Sequence, residues 1–169
     1  TDGADTINGG DGSDVIRGLG GNDRLFSGPS PYPMGVDWVF GDAGNDEING
    51  DVGRQILLGG IGADTLYGLG DTDYLFHHGG DTNSARTPGP VLFFGQNFGP
   101  LGFTFDPYAE DYGVDRLYGG EGADFVFVGL GDIADGGSET DVVVVSLLGL
   151  NNGITYTHQT NWQSQLSTL

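Results

Sequence analysis

Aspartate returns on a fixed beat along this 169-residue chain. Asp5, Asp14 and Asp23 are nine residues apart. Asp37, Asp46, Asp64 and Asp73 keep the same period if Gln55 stands for a missing member. Asp115 and Asp124 follow, then Asp132 and Asp141, with one step of eight between Asp124 and Asp132. Carboxylates can move protons, attack carbonyl-type centres or hold cations. Here carboxylate pairs are too abundant to be read as acid and base, and their repetition speaks for a structural task. The sequence has no HExxH, no GxSxG, no phosphate loop and no spaced nucleophile–base pair, so catalysis is not expected of this chain. The charge balance points the same way. The 24 Asp+Glu face only 5 Lys+Arg, for a net charge of −19. That argues against nucleic acid or an anionic membrane surface as partner, and for a cation.

The elements that position these carboxylates follow from their neighbours. Two places after each sixth-place residue lies an apolar one: Ile7, Ile16, Leu25, Val39, Ile48, Leu57, Leu66, Leu75, Leu117, Val126, Ala134 and Val143. Glycine fills the first, second and fourth places. It does so at Gly9, Gly10 and Gly12, at Gly18 and Gly21, and at Gly41 and Gly44. The pattern continues at Gly59, Gly60 and Gly62, at Gly68, and at Gly119, Gly120 and Gly122. Glycine permits positive φ and close backbone approach, so places one to six form a turn. Places seven to nine form a three-residue strand, on which the eighth residue faces in and its neighbours face out. Thr6, Arg17, Arg24, Glu47 and Asn49 suit the outside, whereas Phe26, Phe40, Tyr67 and Phe76 are exceptions. One turn and one strand bury nothing alone. Coiled with two units per revolution, they make two parallel sheets back to back around one narrow aliphatic core. The fold class expected is therefore all-β, a parallel β-roll of about six revolutions with coils about 4.8 Å apart.

That geometry creates an electrostatic problem. Residues 18 apart lie one above the other, so Asp5 sits beneath Asp23 and Asp46 beneath Asp64. Two carboxylates about 5 Å apart repel by roughly 1 kcal/mol even in water, and by more when partly desolvated. With no cysteine in the chain, thiolate sites and disulfides are excluded. Carboxylates and turn carbonyls make an all-oxygen cage, which suits calcium better than magnesium or zinc.

The stretches "GGDGSDVIR", "GLGGNDRLF", "GGIGADTLY" and "GGEGADFVF" resemble the nonapeptide GGxGxDxUx of the RTX (repeats-in-toxin) family. The resemblance covers about two thirds of the chain. It implies a right-handed roll with several calcium ions, about four to eight, between successive turns, held by the sixth-place aspartates and turn carbonyls. It also implies secretion to the cell exterior or bacterial surface through a type I system, with folding on calcium outside.

The pattern is interrupted twice. Residues 27–36 put ten residues, including Pro29, Pro31 and Pro33, where five are expected, so the turn before Asp37 is expected to lack the family's glycines. Residues 77–114 put thirty-eight where five are expected, and hold Phe93, Phe94, Phe98, Phe103, Phe105 and Tyr108. Such an insertion either covers a sheet face or offers a contact surface to a glycan or polymer, another copy or a larger parent protein. His77, His78 and Asp81 are not expected to share an ion, because adjacent side chains on an extended chain point apart. Residues 1–150 are assigned to the roll. Residues 151–169, which carry no charged side chain, are assigned to a C-terminal cap or tail in the region where the family bears its export signal. The pattern already runs at Thr1, so no leader is expected within the sequence and the chain is expected to continue a longer protein. No stretch approaches a membrane span.

Three roles are consistent with these features. They are a calcium-folded module of a secreted or surface protein, an accessory module of a secreted epimerase, protease or lipase, and a self-assembling surface-layer or filament protein. Within the roll, "GDVGRQILL" keeps Leu57 at the core place while Gln55 replaces the aspartate and Arg54 adds a positive neighbour. This edge is expected to have lost one or two calcium sites. Gln55→Asp should therefore raise the number of ions bound per chain, read by equilibrium dialysis against calcium.

Overall fold

The computed structural model describes residues 1–30, 35–77, 92–93, 96–97, 113–129 and 131–145. Eight strands precede the long insertion: β1 (Thr6–Asn8), β2 (Val15–Arg17), β3 (Arg24–Phe26), β4 (Val36–Ala43), β5 (Glu47–Asn49), β6 (Arg54–Ile61), β7 (Thr65–Gly70) and β8 (Tyr74–Phe76). A short antiparallel pair, β9 (Leu92–Phe93) and β10 (Gln96–Asn97), lies within it. Four follow: β11 (Arg116–Glu121), β12 (Phe125–Val128), β13 (Ile133–Gly137) and β14 (Val142–Val145).

Consecutive strands alternate between two six-stranded parallel sheets. One runs β1-β3-β5-β7-β11-β13 and the other β2-β4-β6-β8-β12-β14. This is the two-units-per-revolution roll that the nine-residue period requires. The register places Ile7 beside Leu25, Leu25 beside Ile48 and Ile48 beside Leu66, so eighth-place residues stack on one another. Leu25, Val39, Ile48, Leu57, Leu66, Leu75, Leu117 and Val126 are fully buried in one core between the sheets. The insertion does not disturb this register. Thr65 pairs with Arg116 and Tyr74 with Phe125, so the roll resumes on the coil where it stopped.

Four features depart from the sequence-based expectation. Strands β4 and β6 have eight residues and β7 and β11 have six, rather than three. Their ladders continue around the corner into the turn, where Asp42 pairs with Gly60 and Leu69 with Gly120. Next, the first residues of the proline loop stay in step with the turns around them. Ser27 donates its N–H to Asn49 O at 2.9 Å and Ser30 to Val52 O at 3.0 Å, while Gly28 supplies a second-place φ of 80°. That turn is therefore not without glycine. The outer face of the second sheet is also apolar: Phe40, Ile56, Leu58, Phe76 and Phe127 form a second buried cluster. Phe76 and Phe127 stack at 4.6 Å and Tyr74 and Phe125 at 5.0 Å across coils. By contrast the first sheet's outer face carries Arg24, ion-paired to Glu47 at 2.9 Å, and stacked Tyr67 and Tyr118. Finally, β14 covers only the start of the apolar run 141–150. The remainder of that run, the cap at 151–169 and most of the insertion lie outside the described residues.

The core is one side chain thick, so each eighth-place residue carries a large share of its coil's stability. Leu66→Ala should cost about 2–5 kcal/mol, whereas truncating an exposed turn residue such as Ile61 should stay within about 0.5 kcal/mol. Denaturant unfolding in saturating calcium checks the difference.

Candidate metal centre

Above the first coil, the sixth-place carboxylates divide their two oxygens between two tasks. Oδ1 accepts the backbone N–H of the sixth-place residue one coil below. On the first edge Asp5 donates to Asp23 at 2.7 Å, Asp23 to Asp46 and Asp46 to Asp64 at 2.8 Å, Asp64 to Asp115 at 2.6 Å and Asp115 to Asp132 at 3.0 Å. On the second edge Asp14 donates to Asp37, Gln55 to Asp73 and Asp73 to Asp124, each at 2.8 Å, and Asp124 to Asp141 at 3.0 Å. The carboxylate thus satisfies a donor that the short strand leaves over.

Oδ2 turns the other way. In Asp14, Asp23, Asp37, Asp46, Asp73 and Asp124 it is buried and accepts no hydrogen bond. Leaving a buried acceptor unmet costs about 1–3 kcal/mol, and more if it is charged. Except at Asp37, whose unit has Ser27 at the first place, these atoms face a space reserved by the first-place glycine. A Cβ on Gly18 would run into Asp23 Oδ2 and Gly41 O. On Gly41 it would meet Asp46 Oδ2 and Gly59 O, and on Gly59 it would meet Asp64 Oδ2 and His77 O. Gly68, with Asp73 Oδ2 and Gly119 O, and Gly119, with Asp124 Oδ2 and Gly136 O, repeat this on the second edge. At Gly9 the pair is Asp14 Oδ2 and Ser27 O. The second- and fourth-place glycines have another duty. Gly10, Gly12, Gly21, Gly44, Gly60, Gly62, Gly120 and Gly122 all have positive φ, which glycine adopts without strain and which shapes the turn.

Burial raises the proton affinity of five of the edge aspartates. It pushes the Asp73 carboxyl up to about 9 and those of Asp46 and Asp124 up to about 6, and it also raises Asp37 and Asp141. The N–H donated from the coil below only partly offsets this. A ladder of desolvated carboxylate oxygens aimed at backbone carbonyls fits a hard divalent ion, which takes six to eight oxygen ligands.

Gln55 sits on the second edge between Asp37 and Asp73, as its place in the period requires. It is fully buried, and neither Oε1 nor Nε2 has a hydrogen-bond partner. Oε1 lies beside the Gly50 cradle with Gly68 O, in the position that Oδ2 occupies in other units. Exposed Arg54 acts on Asp73, whose proton affinity it lowers slightly.

The structure brings Ser27 and His77 to the edges as first-place residues, a position the glycine pattern does not show for them. Both can be found by counting one residue past the ninth place of the preceding strand. His77 is buried against Asp115 and Asp132, and His78 and Asp81 lie outside the described residues.

A parallel roll with carboxylate and carbonyl ladders along both edges defines a calcium-binding β-roll module. Four stretches, residues 1–29, 35–54, 49–82 and 111–132, match the family described as RTX calcium-binding nonapeptide repeat. Together they span more than half of the chain, which belongs to this family. The family is a calcium-binding repeat rather than a catalytic domain, and several ions fit its four matched stretches. No curated protein and no solved structure matches the chain.

The raised carboxyls set a pH dependence for the metal-free chain. Unfolded aspartate titrates near 4, so the folded state holds extra protons between about pH 4 and 6 at Asp46 and Asp124, and up to about 9 at Asp73. Stability from these groups is full below pH 4 and is lost as pH rises through that window. Asp5, Glu47 and Glu139 are shifted down and act oppositely, but only below their ordinary range. In chelator, the far-ultraviolet β signal should therefore grow as pH falls from 8 to 5. A signal that shrinks over that interval would contradict the assignment.

Proposed function

We propose that this chain is a module of an exported bacterial protein that folds when it meets calcium outside the cell. The observation that supports this reading best is the row of buried Oδ2 atoms, which in every unit with a first-place glycine stand against that glycine's cradle and, in most of them, a carbonyl of the coil above. In this proposal Asp14, Asp23, Asp37, Asp46, Asp64, Asp73, Asp124 and Asp141 ligate calcium through Oδ2, whereas Asp5 Oδ2 accepts from the Thr1 amino group at 2.6 Å and from its hydroxyl at 2.7 Å. First-place carbonyls such as those of Gly41, Gly59, Gly68 and Gly119 complete the cages. Without the ion the chain carries −19, a fifth of its residues are conformationally expensive glycine, and its core is thin. Each bound ion removes two charges and returns the desolvation cost of two carboxylates, so binding free energy becomes folding free energy. A low-calcium cytosol then keeps the chain extended for export, and a calcium-rich exterior folds it. The site would need only the affinity typical of extracellular calcium modules, about 0.1–1 mM.

Calcium titration of the chelated chain should restore the β signal cooperatively with a midpoint in that range. Gly41→Ala is the sharper test. Gly41 has no positive φ, so its φ suits alanine, but the added Cβ would press on both Asp46 Oδ2 and the Gly59 carbonyl. The variant should bind fewer ions and need at least about tenfold more calcium to fold. An unchanged midpoint would show that the cradle does not hold the ion.

A further inference from the structure

One step of the first edge is built differently. Below it the first places are Gly18, Gly41 and Gly59; here the first place is His77. Its backbone keeps the ordinary role, donating N–H to Phe127 O at 3.0 Å and accepting from Gly60 N–H at 3.2 Å. Its side chain enters the space that glycine leaves empty elsewhere. Nδ1 lies 3.8 Å from Asp115 Oδ2 and 3.5 Å from Asp132 Oδ2, with the three side chains 1%, 0% and 2% exposed. One ligand atom from each of the three lies within 4.8 Å of the others. Asp132 Oδ2 also accepts Gly129 N–H at 2.7 Å, which fixes that carboxylate.

We propose that His77, Asp115 and Asp132 hold a borderline transition-metal ion of the zinc class, at a site distinct in its donors from the calcium cages. Both nitrogen–oxygen gaps exceed a direct hydrogen bond. They approach the roughly 3.3–3.4 Å that separates two ligands on a tetrahedral ion with bonds of about 2.0–2.1 Å. Imidazole nitrogen suits zinc, cobalt or nickel, whereas calcium prefers oxygen throughout. Two buried carboxylates and a neutral imidazole also match a divalent charge. The ion ties the first residue of the 77–114 insertion to the coil that closes above it, through Asp132.

The probe is cobalt(II), added to the chain in excess calcium so that folding is already complete. One cobalt per chain should bind with visible absorption typical of low-coordinate nitrogen–oxygen ligation, and one equivalent of zinc should displace it. His77→Gly restores the repeat's own glycine. It should keep the calcium-folded circular dichroism spectrum and lose cobalt affinity by about 100-fold or more. Equal cobalt binding by wild type and His77→Gly, or no binding by wild type below 100 μM (roughly the weakest useful site), overturns the proposal. Should His77→Gly not fold, zinc-edge absorption of the wild type decides: one imidazole nitrogen in the first shell supports the site, and an all-oxygen shell overturns it. Because the β signal in calcium is recorded separately, failure of this site cannot be mistaken for failure of calcium-coupled folding.

Discussion

Everything in this roll depends on stacking like charges at the spacing of β-strands. A coil repeats about every 4.8 Å, so any residue that recurs once per coil meets its own copies at that distance. For leucine this is favourable packing; for aspartate it is repulsion, strengthened by burial. The chain accepts the conflict because the two carboxylate oxygens are not equivalent. Oδ1 serves the backbone of the coil below. Only Oδ2 is left carrying charge toward the interior of the edge. The same side chain therefore sets the coil-to-coil register and creates the demand for a cation.

Gln55 shows that these two contributions can be separated. Its own N–H still donates to Asp73 Oδ1, so the coil above holds it as it would an aspartate. Leu57 remains fully buried two residues later. What Gln55 does not supply is charge, and its amide is buried with both polar atoms unmet. Burial of an unmet amide is costly, and the neighbouring core is what tolerates it. The strand thus survives on its apolar residue, while the demand for an ion weakens at that one step.

Much of this was legible because the period alone determines which residues meet. A nine-residue unit with one inward place yields two sheets, and the 18-residue separation then names the partners along each edge. The rest required topology. That Asp64 lies under Asp115 follows only once the insertion is known to return on the coil it left, 51 residues later. The same fact brings His77 to Asp115 and Asp132, which no local spacing suggests. The apolar outer face of the second sheet was visible only as isolated exceptions, Phe40 and Phe76 among them. Trp38, Ile56, Leu58, Phe125 and Phe127 join them through pairing across coils. Strand length was misjudged for a related reason. Glycine marks a turn in sequence, yet neighbouring turns of identical shape can hydrogen-bond to each other as a strand does.

The two edges also differ in continuity, and that bears on how order spreads through the roll. A cation between two carboxylates couples one coil to the next, so an unbroken ladder makes neighbouring coils fold together, as in other repeat architectures where stability is a sum of nearest-neighbour terms. On the first edge, aspartate runs without interruption from Asp5 to Asp132, with His77 entering at the step between Asp115 and Asp132. On the second edge Gln55 divides Asp14 and Asp37 from Asp73, Asp124 and Asp141. Coupling across the middle coils therefore falls on the first edge and on the shared core. Two residues there carry the consequence: Asp46 and Asp64, which bridge the coils on either side of Gln55. Their removal would leave the lower and upper coils joined by backbone ladders and core packing with no charged link between them, and a core one side chain thick adds little cooperativity of its own.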